Sequence, residues 1–137
     1  MLLTTQLAQA IIEGAEAKAR ELGLPVIVAV LDAGGHLKAF QRMDGAVLGS
    51  IDIATRKAKT AVLFQCNSED VWEYCKPGAP APSLELTNDG LAPYGGGMSL
   101  KARDGSPLGA LGISGGSIAQ DTEIARAAHA AFEARLG

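Results

Sequence analysis

The feature that most constrains the fold is a run of six apolar residues, Val26 to Leu31, followed at once by Asp32-Ala33-Gly34-Gly35. A half-buried strand alternates apolar with polar residues, so an unbroken Val-Ile-Val-Ala-Val-Leu segment reads as a strand covered on both faces, in the middle of a sheet. Two glycines that reach positive φ freely make the next residues a reversal, and His36 to Met43 returns as a second strand of mixed polarity. A second hairpin runs from Met98 to Arg103, turns at Asp104-Gly105 and returns from Pro107 to Ile113, with Leu108, Ala110, Leu111 and Ile113 as its buried side chains.

Helices fill the remaining chain. Thr4 or Thr5 caps the first, along which Leu3, Leu7, Ile11, Ala15, Ala19 and Leu22 recur every three or four residues until Gly23 and Pro25 stop it. Ser50 offers a cap for a second helix with a stripe of Ile51, Ala54, Ala58 and Ala61 that ends near Phe64, and a short third helix spans Ser68 to Cys75. Pro77, Pro80 and Pro82 make residues 76–91 an irregular surface connection with one helical turn, followed by an extra strand around Leu91 to Tyr94. Ser117 and Gln120 form a capping box for a terminal helix carrying Ile124, Ala127, Ala128, Ala131 and Leu136. The order α-β-β-α-α-(β)-β-β-α implies an α+β fold, an antiparallel sheet with helices packed on it, in one domain over residues 1–137. With 24 alanines and 17 glycines, the elements must approach closely.

Charge excludes some functions. Twelve basic against fifteen acidic side chains leave a net charge of −3, the wrong sign for neutralising phosphates, and six aromatics make no base-stacking platform, so nucleic acid is not an expected partner. No apolar stretch reaches the roughly 20 residues that span a bilayer, and the N-terminal residues lack a basic segment leading into an apolar run; the expectation is a cytoplasmic protein with no membrane partner. Cys66 and Cys75 match no metal-ligand or redox spacing and read as free thiols, and two histidines alone cannot build a zinc cluster.

Chemistry concentrates in a few places. Gly112-Ile113-Ser114-Gly115-Gly116-Ser117 leaves a strand and enters a helix whose first amides lack intrahelical acceptors; it suits a carboxylate-bearing ligand at Ser114, Gly115, Gly116 and Ser117, or is simply a tight turn with a cap. Gly95-Gly96-Gly97 fits either close approach by a ligand or a bend at a strand start, and Tyr94 beside it offers a hydroxyl or a flat apolar face. His36 stands where a neutral imidazole can ligate haem iron or exchange protons, or is merely solvated; His129 reads as a packing or interface residue. Lys57 lies in Arg56-Lys57-Ala58-Lys59, nominally a solvated face, yet shares a side with Ile53 and Phe64, so its stem can cross apolar surface and deliver the ammonium to the sheet edge. Asp121 complements the dipole of the last helix, orients a ligand or acts as a base.

Three segments taken together resemble the haem-degrading domain family, also called GlcG/HbpS-like: Val30-Leu31-Asp32-Ala33-Gly34-Gly35-His36-Leu37 with Arg42-Met43-Asp44-Gly45, then Ile53-Ala54-Thr55-Arg56-Lys57-Ala58, then Gly109 to Gly116 followed by Gln120-Asp121. The resemblance implies a five-stranded antiparallel sheet flanked by helices, assembly into homo-oligomers, and haem binding or breakdown in some members. It carries over Asp32, Gly35, His36, Arg42, Asp44, Lys57, Gly96, Gly97, Ser114, Gly115, Gly116 and Asp121 as recurring positions. The family's Gly-Gly-small-Pro pattern before the second hairpin is replaced here by Tyr94-Gly95-Gly96-Gly97-Met98. Two readings follow. In one, the protein binds haem, with propionates at the glycine-rich amides and iron on His36, or on Met43 or Met98. In the other, it is a cofactor-independent enzyme on a small carboxylate-bearing metabolite, with Lys57 or Arg42 countering charge and His36 or Asp121 moving a proton.

Overall fold

The computed structural model describes residues 2–137. Helix α1 (Thr5–Leu22) is followed by the hairpin β1 (Ile27–Asp32) and β2 (Leu37–Arg42), then α2 (Ser50–Phe64), α3 (Ser68–Cys75), a single 3-10 turn (Leu84–Leu86), the hairpin β3 (Gly97–Lys101) and β4 (Pro107–Ser114), and α4 (Ile118–Glu133). The sheet order is β2-β1-β4-β3, antiparallel throughout, so the unbroken apolar strand is indeed internal.

The sheet among the described residues has four strands, not the five expected. Leu91 to Tyr94 is packed but makes no strand, because its polar groups are satisfied elsewhere: the Ala92 amide donates to Thr60 Oγ1 at 2.9 Å, the Leu91 amide to Glu85 O at 2.8 Å, and Pro93 has no donor to give a ladder. The irregular segment before it holds the one expected helical turn. Ser50 is not a cap either: Gly49 occupies that position without a side-chain bond, and the Ser50 hydroxyl is buried against Ser114.

Both faces of the sheet are covered, by different means. On one side Val28 and Val30 of β1 and Leu111 and Ile113 of β4 pack against Ile11, Ala15, Ile124, Ala128 and Phe132 of α1 and α4. Full burial of a side chain the size of Ile113 or Phe132 contributes about 1.5–3 kcal/mol. On the other side α2 lays Ala54, Ala58 and Ala61 onto Ile27, Ala29, Leu31 and Ala110. The approach is so close that a Cβ at Gly112 would overlap the Ala54 carbonyl and come within 2.7 Å of the Ala58 amide. This is where the alanine and glycine content is used: small residues on both surfaces let helix backbone sit directly on sheet backbone.

Candidate functional site

Lys57 is on the sheet-facing stripe of α2, between the alanines, and its side chain is sealed from solvent at 0% exposure. Its ammonium donates to the Ile113 carbonyl at 2.9 Å and to Asp121 Oδ2 at 3.0 Å, with the Tyr94 ring centroid 5.7 Å away. Burial pushes the Lys57 ammonium below its ordinary 10.5, and the attraction of Asp121 opposes that shift. The expectation that this lysine reaches a site at the sheet edge is corrected: the stem stays within the protein because a carboxylate from α4 meets it there. Its neighbours Arg56 and Lys59 are not simply a solvated face, since Arg56 donates to the carbonyls of Asp89 and Gly90 and Lys59 to that of Asn88, pinning the irregular segment onto α2.

The glycine-rich entry to α4 is engaged by the chain's own acceptors. The Gly116 amide donates to Asp121 Oδ1 at 2.8 Å, the Ser117 amide to Gln120 Oε1 at 3.0 Å, and the Gln120 amide to Ser117 Oγ at 3.2 Å. The anion that the helix dipole attracts here is therefore the carboxylate of Asp121, 2% exposed. Gly95, Gly96 and Gly97 wrap the same pair: a Cβ on Gly96, whose φ is +128°, would lie 2.6 Å from the Ile113 carbonyl and 2.8 Å from Lys57 Nζ, and the Gly97 amide donates to Ser68 Oγ at 2.9 Å. A Cβ on Gly115 would lie 2.9 Å from the Val26 backbone. Close approach is the reason for these glycines, and what approaches is protein.

His36 belongs to another place. In the ladder, Ile27 of β1 faces Arg42 on one side and Ser114 on the other, whereas Asp32 faces Gly109. Five residue steps along β1 separate these ends, about 17 Å at the usual strand rise. Arg42, Met43 and Ser114 thus share one end of the sheet and His36 the other, so propionates on the glycine-rich amides and iron on His36 are not brought together within one chain. Met43 Sδ accepts from the Val26 amide at 3.5 Å, and Arg42 lines a small cavity beside Glu16, Arg20 and Asp44.

At its own end, His36 is 80% exposed, with Nδ1 3.3 Å from Asp32 Oδ1. That same oxygen accepts from the amides of Gly34 and His36, each at 2.9 Å, and these bonds, led by that from His36, hold the Asp32 carboxyl below its ordinary 3.8. A carboxylate against Nδ1 favours the tautomer with its lone pair on Nε2. Beside the ring lies a cleft of about 420 Å³ with walls from Leu2, Leu3, Pro107 and Leu108 and the cation Lys38 at its rim.

The family description "Haem degrading protein HbpS-like" matches residues 3–130. The chain belongs to the HbpS-like family. Among relatives, it is 36% identical over 127 residues to a 15.0 kDa protein of the dhaT-dhaS intergenic region of Citrobacter freundii, covering 92% of this chain and 89% of that one. It is 40% identical over 128 residues to the corrinoid adenosyltransferase PduO of Salmonella typhimurium, covering 93% of this chain but only 37% of the enzyme's length. The solved PduOC:haem complex superposes with a TM-score of 0.90 at 37% identity, covering 96% of this chain and 95% of that one.

Within this HbpS-like fold, three buried hydroxyls escaped the sequence reading. Ser68 Oγ bonds the Tyr94 carbonyl at 2.6 Å and receives the Gly97 amide, Thr60 anchors Ala92, and Ser50 meets Ser114 Oγ at 2.9 Å. Ser50 and Ser68 at helix starts look like ordinary caps in a sequence and Thr60 like any residue inside a helix, and nothing local marks these as contacts across elements. Among the described residues no helix is long and apolar enough to cross a membrane, and no group of three His, Cys, Asp or Glu side chains could hold a metal ion.

Proposed function

We propose that this HbpS-like protein binds haem at the β1–β2 turn, with His36 as the iron ligand. The observation that carries this reading is the pairing of His36 with Asp32, which presents Nε2 beside an apolar cleft. Haem needs a nitrogen ligand with a free lone pair, apolar surface for the macrocycle and a cation for a propionate; Nε2 of His36, the Leu2, Leu3, Pro107 and Leu108 walls, and Lys38 match those needs in turn. The bound iron supplies ligand exchange and one-electron chemistry, and the protein's part is to orient His36 through Asp32. The solved haem complex of a similar domain supports the ligand class.

The same proposal includes a homo-oligomer in which a second copy of the chain covers the open cleft. The free thiols of Cys66 and Cys75 agree with a reducing, cytoplasmic setting. Burial of Lys57 and Asp121 favours binding over cofactor-free turnover, since both groups are sealed from solvent and spent on each other. Titration of the purified protein with haemin is expected to give a Soret band that His36→Ala weakens by about tenfold in affinity, while His129→Ala matches the wild type. Absence of any spectral change at micromolar haemin would overturn haem binding; dependence on His129 instead would overturn the site.

A further inference from the structure

A cavity of about 570 Å³ lies between β3, the β3–β4 turn and the end of α4, and shares no lining residue with the His36 cleft. Its floor is apolar: Phe132 is 1% exposed, with Met98 and Leu136 partly buried against the same core. Its rim is basic. Lys101 is exposed and has no ion-pair partner among the described residues, and Arg103 donates through Nε to Gly137 O at 3.1 Å and through Nη2 to Leu136 O at 3.0 Å, tying down the last residues as the far wall. His129 lies against the floor, its ring 5.8 Å from that of Phe132, and keeps Nδ1 3.0 Å from Glu133 Oε1, which leaves Nε2 as the ring's free polar edge. Lys101 is thus the rim cation left without a partner among the described residues, since Arg103 is engaged by the backbone oxygens of Leu136 and Gly137 and Glu133 is taken up by the histidine.

We infer that this cavity takes an amphipathic organic anion, with its apolar body on Met98, Phe132 and Leu136 and its acidic group at Lys101. Apolar surface supplies the affinity and the Lys101 ammonium fixes which end of the ligand points outward. Two other cavities of similar size carry acidic charge alone, one around Trp72, Pro93, Tyr94 and Ile118 edged by Glu69, Asp70 and Glu73 and one around Phe64, Val71, Tyr74 and Leu84 edged by Asp70, and both would repel such a ligand. The site is independent of the haem assignment, because it shares neither His36 nor Lys38.

Anilinonaphthalene sulfonate is a suitable probe, having an aromatic body, one negative charge and fluorescence that rises in apolar surroundings. Its titration is expected to saturate, to weaken with added salt, and to move the imidazole proton signal of His129 while leaving that of His36 in place; with only two histidines the spectrum is simple to assign. Lys101→Glu should weaken probe binding about tenfold, and Lys101→Met, which removes charge without reversing it, by a smaller factor; Lys38→Glu should leave it unchanged. Far-UV circular dichroism checks that each variant is folded. Probe affinity unaltered in both Lys101 variants, movement of neither histidine or of His36, or loss of binding in Trp72→Ala would overturn the inference. The haemin titration reads His36 separately, so failure of one site does not mimic failure of the other.

Discussion

Replacing Lys57 by methionine tests the internal ion pair directly. Methionine keeps an unbranched apolar stem of similar length, so the packing between Ala54, Ala58 and Ala61 survives and the loss is confined to the ammonium. Asp121 then keeps the Gly116 amide at 2.8 Å but loses its only counter-charge, and the Ile113 carbonyl loses its 2.9 Å donor. With both partners at 1–2% side-chain exposure, the remaining carboxylate is stranded away from water. Breaking a buried pair in this way costs about 3–5 kcal/mol. In urea denaturation followed by far-UV circular dichroism, at a slope of about 2 kcal/mol/M, that is a midpoint lowered by about 2 M. Adding Asp121→Asn removes the stranded charge while an amide oxygen still accepts from Gly116, so the double variant should be more stable than the sum of the two single losses by about 2 kcal/mol. A single-variant loss under about 1 kcal/mol, or additivity within about 0.5 kcal/mol, would refute the account of this corner.

Other outcomes follow from the same structure. Gly112→Ala should destabilise by more than about 3 kcal/mol, because its Cβ meets rigid α2 backbone, whereas Gly105→Ala, at φ +86° in open space, should cost about 1 kcal/mol; thermal unfolding separates them. Ser117→Ala removes the acceptor for the Gln120 amide and should cost about 1 kcal/mol in the same assay while leaving the haemin titration unchanged. The Asp32 carboxyl is held below 3.8 by its bonds from the turn amides, so the unfolded chain takes up its proton first as pH falls. Its contribution is complete above about 3.8 and disappears as pH drops through the lower folded value; the protection factors of the Gly34 and His36 amides, exchange rates divided into their intrinsic values at each pH, should fall in that window and show no such fall in Asp32→Asn.

Much of the architecture was legible because it is written in local patterns. The unbroken Val26–Leu31 run located the inner strand, Asp32–Gly35 the first reversal, and Ser117 with Gln120 the start of α4, each a signal spanning few residues. Where the reading failed, the deciding contact lay far along the chain. Leu91 to Tyr94 looks like a strand by composition, but Thr60 and Glu85 take its amides. Lys57 and Asp121 could each be singled out, by apolar neighbours on the helix and by the first turn of the last helix, whereas their pairing across 64 residues could not, since ion pairing across elements leaves no spacing rule. The glycines at 95–97 and 115–116 announced close approach without saying by what, and a carboxylate already in the chain satisfies the amides that a guest would use. His36 keeps its meaning because its orienting partner, Asp32, is only four residues away.

The span between Lys57 and Asp121 also sets an order of events during assembly. As the chain is made from its N-terminal end, α2 precedes α4, and until residue 121 is added Lys57 lacks the carboxylate that offsets its lost hydration. A chain stopped short of that residue cannot close the ion pair that joins the middle of the molecule to its last helix.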